Sequence, residues 1–227
     1  MRRAPFIVAA LLASSWVGAA QAAPTQSSQR LVVILAGQAV RASPSGDARG
    51  VGQVASTTPI TGGSTVLPVL AAGPRGWLRV ALPGRPNGHS GWIRSSATRP
   101  AITGWRVTVD LSQRLVTVLE GARVVHTFSA VVGKPSTPTP VGTFFVEEAV
   151  KMDADAVGGP YALALSARSN VLQEFAGGPG QIAIHGRDNV GGTLGTAASH
   201  GCVRLTDGAM RWLVGRVGAG TPVTITT

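Results

Sequence analysis

The chain has 227 residues, of which 44% are hydrophobic, 13% charged and 5% aromatic, with 30 Gly and 15 Pro. This composition fits one large domain or two small ones built of short strands and turns, and it excludes a coiled coil, a collagen and bulk disorder. The formal charge is +10, 18 of the 20 basic residues are Arg, and there is one cysteine.

Residues 1–22 read as a secretory signal. Arg2 and Arg3 precede the apolar stretch 6–20, and Ala20-Gln21-Ala22 is a small-x-small cleavage site. The stretch is shorter than the roughly 20 residues that a membrane-spanning helix needs. Cleavage gives an exported protein of the cell wall or a periplasm-like space, with no stable membrane span and a charge of +8 after loss of the two arginines. An uncleaved signal would instead act as an anchor. Residues 23–30 are polar and Gln/Ser-rich and read as a flexible leader.

From 31 to 98, short β-type runs alternate with Gly/Pro turns. Leu31-Val32-Val33-Ile34-Leu35 and residues 65–70 are strand candidates. Trp77-Leu78-Arg79-Val80-Ala81-Leu82 alternates with the period of two of a half-buried strand. The loop Pro83-Gly84-Arg85-Pro86-Asn87-Gly88 separates it from Gly91-Trp92-Ile93-Arg94. A tryptophan before a Gly/Pro loop and a Gly-Trp strand after it resemble a small bacterial Src-homology-3-like barrel. Such modules dock onto cell wall or onto a neighbouring domain, whereas Trp77 and Trp92 by themselves read as core. Thr98-Arg99-Pro100 marks a boundary.

A second β-rich domain is expected over 103–227. Runs at 105–110, 114–119 and 123–132 are joined by the hairpin-length links Leu111-Ser112-Gln113 and Glu120-Gly121-Ala122. Residues 142–148, 181–184 and 222–225 continue the pattern. The one helix signal lies between 206 and 216, with Thr206 or Asp207 as cap and Ala209, Met210, Leu213 and Val217 as its apolar face. The fold class is therefore mainly β with one short helix.

Chemistry concentrates near 185–204, where His185, His200 and Cys202 fall within 18 residues. Cys202 has no partner in the chain. It is an inert buried thiol, half of an intermolecular disulfide, or a reactive nucleophile. The flanking residues favour the nucleophile, because an imidazole can take the thiol proton. A Gly directly before the Cys also lets backbone N–H groups converge on a developing oxyanion. A zinc site of His185, His200 and Cys202 is the alternative reading, but the spacing is not that of a compact finger. The pattern needs neither metal nor any other cofactor. Gly191-Gly192-Thr193-Leu194-Gly195 lacks the Lys-Ser/Thr of a phosphate loop and reads as a loop beside the site.

His185, a loop, and then Ser199-His200-Gly201-Cys202-Val203-Arg204 resemble the signature of the YkuD-type L,D-transpeptidase family. Pro138-Thr139-Pro140-Val141-Gly142-Thr143-Phe144 is similar to that family's turn before a core strand. The resemblance covers about 104–227 and implies a β-sandwich catalytic domain with the helix just after the nucleophile. It implies that Cys202 is the nucleophile and His185 its base, oriented by the backbone carbonyl of Gly186 in a variant of triad logic. Backbone N–H groups around Gly201 and Cys202 would form the oxyanion hole. His200 and Ser199 would shape the pocket and bind substrate, Arg204 would hold a substrate carboxylate or brace the loop, and Tyr161 would belong to a flap over the site.

The implied partners are peptidoglycan stem peptides. A tetrapeptide donor is attacked after its third, diamino-acid residue, and the side-chain amine of a neighbouring stem is the acceptor. Inhibition by carbapenem-type β-lactams is implied as well. Hydrolysis of the thioester by an L,D-carboxypeptidase, attachment of a protein to the wall, and an inactive wall-binding protein are the alternatives. Nucleic acid is not expected as a partner. No Lys/Arg run follows the signal, and anionic wall polymers and stem carboxylates suit the charge.

Overall fold

Period-two alternation of apolar residues builds two sheets. The computed structural model describes residues 28–153, 155–175 and 177–227. The expected signal and most of the leader lie outside the described residues. The first sheet contains β1 (Gln29–Ile34), β2 (Gln38–Arg41), β3 (Gly50–Val54), β4 (Val66–Ala72), β5 (Trp77–Ala81), β6 (Ser90–Arg94) and β7 (Thr98–Thr103), ordered β3-β2-β6-β5-β4-β1-β7. Its neighbours are all antiparallel. Val32, Ile34, Val40, Leu67, Val80 and Ile93 fill its core. Trp77 is buried, and Trp92 covers Gly73 so closely that a Cβ there would meet its ring.

Two boundaries differ from the turn-based reading. β1 begins at Gln29, inside the expected leader, and Thr98-Arg99-Pro100 opens β7 rather than a linker. β7 pairs along the whole of β1, from Gln29 opposite Thr103 to Ile34 opposite Thr98. Pro100 is tolerated because β7 is an edge strand, where the missing N–H leaves no ladder bond unmade.

The second part comprises β8 (Trp105–Asp110), β9 (Leu115–Glu120), β10 (Arg123–Ser129), β11 (Val132–Gly133), β12 (Gly142–Lys151), β13 (Tyr161–Arg168), β14 (Gln181–Gly186), β15 (Ala197–Ser199), β16 (Val203–Leu205), the helix α1 (Asp207–Val214) and β17 (Pro222–Thr226). Eight strands form a sheet ordered β10-β9-β8-β17-β12-β13-β14-β16, and β11 and β15 form a separate pair. In the β8–β9 hairpin Val107 and Val109 lie opposite Val118 and Val116, and all four are buried. The Asp110 carboxylate closes that turn by accepting from Ser112 Oγ at 2.7 Å and Gln113 N at 2.8 Å.

Bulges bend the sheet. The register shifts between Val146 and Glu148 in β12 and between Ala164 and Arg168 in β13. Both halves then bury their inner faces in one core, which includes Val109, Val118, Leu165 and Ile184 together with Met210 and Leu213 of α1. Thr206 caps α1 with its hydroxyl accepting from Ala209 N at 3.2 Å. The protein is mainly β, with one α-helix among the described residues.

The strand β12 ties the two parts together. Phe145 belongs to the first sheet's core. Glu148 accepts from Ile60 N at 3.2 Å, Thr61 N at 2.9 Å and Thr61 Oγ1 at 2.8 Å. Burial opposes its charge, but hydrogen bonds from Thr58, Thr61 and Ile60 prevail and hold its pKa below the usual value. Its neighbour Glu147 faces the second part, paired with Arg168 at 3.1 Å, and burial raises its pKa despite that arginine.

Candidate active site

Strands β14 and β16 run parallel, with Ile184 opposite Val203 and His185 opposite Arg204. Alternation sends Ile182, Ile184, Val203 and Leu205 into the core and leaves Gln181, His185, Cys202 and Arg204 on the other face. There they line a cleft completed by Ser169, Leu172, Phe175, Gly180, Ile182 and His200. The structure thus brings His185, His200, Cys202 and Arg204 into one cleft.

The His185 ring is fixed. Its Nδ1 lies 2.7 Å from Gly186 O. A carbonyl only accepts, so Nδ1 carries the hydrogen and Nε2 is left as the basic atom. Gly186 N donates to Gly158 O at 3.0 Å. A Cβ on Gly186 would strike Gly159 O, so glycine is required where that orienting carbonyl sits. Burial lowers the His185 pKa; the Gly186 bond opposes this and the Arg204 charge adds to it. Burial raises the Cys202 pKa, against the Ala183 amide and the Arg204 charge. Both directions favour the uncharged forms, thiol and imidazole, over a thiolate–imidazolium pair.

The loop before Cys202 differs from expectation at two residues. Ser199 is fully buried, and its hydroxyl donates to Cys202 O at 2.5 Å and accepts from Gly201 N at 3.1 Å. It shapes the loop from beneath and cannot touch a substrate in the cleft. The same bond occupies the Gly201 N–H, which removes that group from the expected oxyanion donors. Among the described residues, the N–H groups of His200 and Cys202 donate to no protein acceptor. Gly201 still contributes its backbone, with φ at +121°, a conformation that L side chains rarely adopt.

Thr137 and Thr139 are the residues that sequence reasoning missed. Thr139 Oγ1 donates to Gly201 O at 2.8 Å and accepts from Gly133 N at 2.9 Å, while Thr137 Oγ1 donates to Ser199 O at 3.3 Å. Both threonines are buried. They lie in the stretch 137–139, which reads in the sequence only as a turn. Two hydroxyls bracketed by prolines were the available signal, since buried hydroxyls need partners.

His200 is exposed, stacks on Phe175 at 5.6 Å between centroids, and has Nε2 3.4 Å from Lys134 Nζ. Arg204 Nη1 reaches Gly191 O at 3.4 Å, which braces the glycine-rich loop. Its Nε is buried and has no protein acceptor among the described residues. Tyr161 does not join the cleft. Ala162 lies opposite His185, so Tyr161 falls on the other face of β13 and packs against the core. Among the described residues, no three His, Cys, Asp or Glu side chains gather closely enough to hold a metal ion.

The family model YkuD, an L,D-transpeptidase catalytic domain, matches residues 104–225. The chain is 27% identical over 184 residues to L,D-transpeptidase 1 of Mycobacterium tuberculosis, spanning 65% of this chain and 70% of that one. It is 32% identical over 136 residues to the putative L,D-transpeptidase YkuD of Bacillus licheniformis, spanning 59% and 70%. Among solved structures, an LD transpeptidase in complex with imipenem aligns over 74% of this chain and 76% of that one, with a TM-score of 0.41 and 24% identity.

Proposed function

The chain belongs to the YkuD family of L,D-transpeptidase catalytic domains, and from that premise we propose that it is an exported peptidoglycan L,D-transpeptidase acting through a Cys202 thioester. The observation that carries the reading is the shared cleft of Cys202 and His185, with His185 Nδ1 held on Gly186 O so that Nε2 is free as base. Cys202 Sγ attacks the carbonyl carbon that joins the third-position diamino acid of a stem tetrapeptide to its terminal D-Ala. The thiol proton passes to His185 Nε2, and the amides of His200 and Cys202 are the donors for the oxyanion. Collapse breaks the C–N bond, His185 returns the proton to the departing D-Ala amine, and a thioester remains. The side-chain amine of a neighbouring stem then attacks the thioester carbonyl, giving up a proton to His185, which restores the thiol as Sγ leaves.

Arg204 serves this scheme in two ways. One guanidinium nitrogen, Nη1, braces the loop at Gly191, and the part of the guanidinium that lines the cleft suits a stem-peptide carboxylate. His200 lines the same cleft as a substrate contact. Carbapenem-type β-lactams are proposed to acylate Cys202. Export to the cell wall or a periplasm-like space is supported by Arg2, Arg3, the apolar stretch 6–20 and Ala20-Gln21-Ala22. Among the described residues, no helix is long and apolar enough to cross a membrane. The domain plan proposed is a signal at 1–22, a short leader, a Src-homology-3-like domain widened from the expected 31–98 to 29–103 so that it takes in β1 and β7, and a catalytic domain after it to 227. The antiparallel seven-stranded sheet over 29–103 supports the third of these.

The test is incubation of purified protein with a disaccharide-tetrapeptide, read by mass spectrometry. Loss of D-Ala with formation of a crosslinked dimer supports the transpeptidase. Loss of D-Ala alone identifies a carboxypeptidase, and binding to wall without turnover overturns the enzyme reading. The pH dependence is a second check. A lowered His185 pKa keeps Nε2 unprotonated below the ordinary imidazole value of 6.5. The acid limb of kcat/KM is therefore expected below that value, and a limb centred above it contradicts His185 as a buried base.

A further inference from the structure

One wall of the Cys202 cleft belongs to a loop whose neck is held by the other domain. Residues 169–175 and 177–180 connect β13 to β14, and Ser169, Leu172, Phe175 and Gly180 among them line the cleft. Ser169 N donates to Gly180 O at 2.7 Å, so the loop closes on itself at its base. Phe175 at its far side is half exposed and stacks on His200. Little buried apolar surface holds such a loop from within, so its order depends on what grips the neck.

The grip comes from the loop between β5 and β6. Arg85 Nη1 donates to Pro179 O at 2.9 Å, and Nη2 donates to Ser169 O at 2.9 Å and Leu172 O at 3.1 Å. These carbonyls come from both arms of the neck. Asn87 adds a two-way backbone pair, donating from Nδ2 to Arg168 O at 2.7 Å and accepting at Oδ1 from Arg168 N at 2.8 Å. Gly84 N donates to Ser166 O at 3.0 Å. Gly180 packs so tightly that a Cβ on it would strike Leu172 O and come within 3.2 Å of Arg85 Nη2. A planar guanidinium spans three divergent carbonyls in a way that a lysine ammonium cannot.

We propose that Arg85, assisted by Asn87, is a positioning residue for the reaction. It orders the loop residues 169–175 and 177–180 as the wall against which the donor stem peptide lies, and so makes the N-terminal domain a working part of the active site. This rests on the transpeptidase reading only for the identity of the donor.

The experiment compares the full-length wild type with Arg85→Ala and Arg85→Lys. Amide hydrogen exchange is followed over 169–180, with β8, β9 and α1 as references. The rate of Cys202 alkylation by iodoacetamide and the separate kcat and KM for the tetrapeptide donor complete the comparison. For Arg85→Ala, exchange in the loop is expected to rise about ten-fold, and the donor KM by a similar factor with kcat changed less than about three-fold, since charge-assisted hydrogen bonds at the neck are lost. Alkylation is expected to speed up several-fold, and Lys to recover less than half of each effect. Loop exchange and KM within two-fold of wild type overturn the proposal. So does exchange that rises equally in β8, β9 and α1, which marks a merely structural contact, or looser exchange with no change in KM. Exchange and alkylation need no turnover, so with an inactive wild type they decide the loop's ordering while the transpeptidase reading alone fails.

Discussion

Cys202→Ala is expected to abolish both D-Ala release and crosslinking while leaving the fold intact. The proposed reaction routes every step through Sγ, so removing it takes away the covalent intermediate altogether. What survives is the contribution of oxyanion donors and substrate binding, and the loss of kcat should be on the order of 10⁴-fold or more. Stability should barely change. Cys202 is half-buried, and its Sγ makes weak polar contacts, with Gln181 O at 4.0 Å and with the Ala183 amide. A shift below about 1 kcal/mol is expected. Intact-mass spectrometry after exposure to a carbapenem gives an independent reading, with an adduct in the wild type and none in the variant. Turnover in Cys202→Ala, or an adduct on another residue, removes the thiol from the mechanism.

The proposed nucleophile stands out in the sequence because the chemistry proposed for it is local. A lone cysteine stands between His200-Gly201 and Val203-Arg204, downstream of His185, and packing alone requires neither the histidines nor the glycine. The β8–β9 hairpin and α1 were legible too, since alternation and capping are short-range signals. What stayed hidden depends on long-range packing. The direction of the Ser199 hydroxyl, beneath the loop and not into the cleft, follows from how residues 197–202 lie on the 137–139 turn. Tyr161 failed for a register reason, because one residue along β13 exchanges the cleft face for the core face. β7 was masked by Pro100, which reads as a break until its place at a sheet edge is known. The grip of Arg85 on residues 84 to 94 positions away lies beyond any sequence window.

Gly158→Ala is expected to cripple the enzyme without touching any reacting group. Gly158 lies between β12 and β13 at φ +83°, where its N–H donates to Asn189 Oδ1 at 3.0 Å. A Cβ built there sits 2.6 Å from His185 Nδ1 and 3.2 Å from Cγ and Cε1 of the same ring. The methyl group and the ring cannot both keep their places. The Gly158 backbone is held at both ends, by Asn189 and by Gly186 N, so the ring is the part that moves. Displacing it breaks the 2.7 Å bond to Gly186 O. Nε2 then loses both its aim and the tautomer that makes it a base. A misplacement of about 1 Å can cost on the order of 10²-fold, so kcat/KM should fall at least that far. The left-handed backbone adds a stability cost of about 1–2 kcal/mol for any residue with a Cβ. Gly208→Ala supplies the contrast. Gly208 lies in α1 with no atom within 4 Å of a Cβ and no left-handed φ. That change should stabilise by about 0.5–1 kcal/mol and leave activity alone. Gly158→Ala with kcat/KM within three-fold of wild type would mean that His185 is not oriented through Gly186, and the base would then have to be sought elsewhere in the cleft.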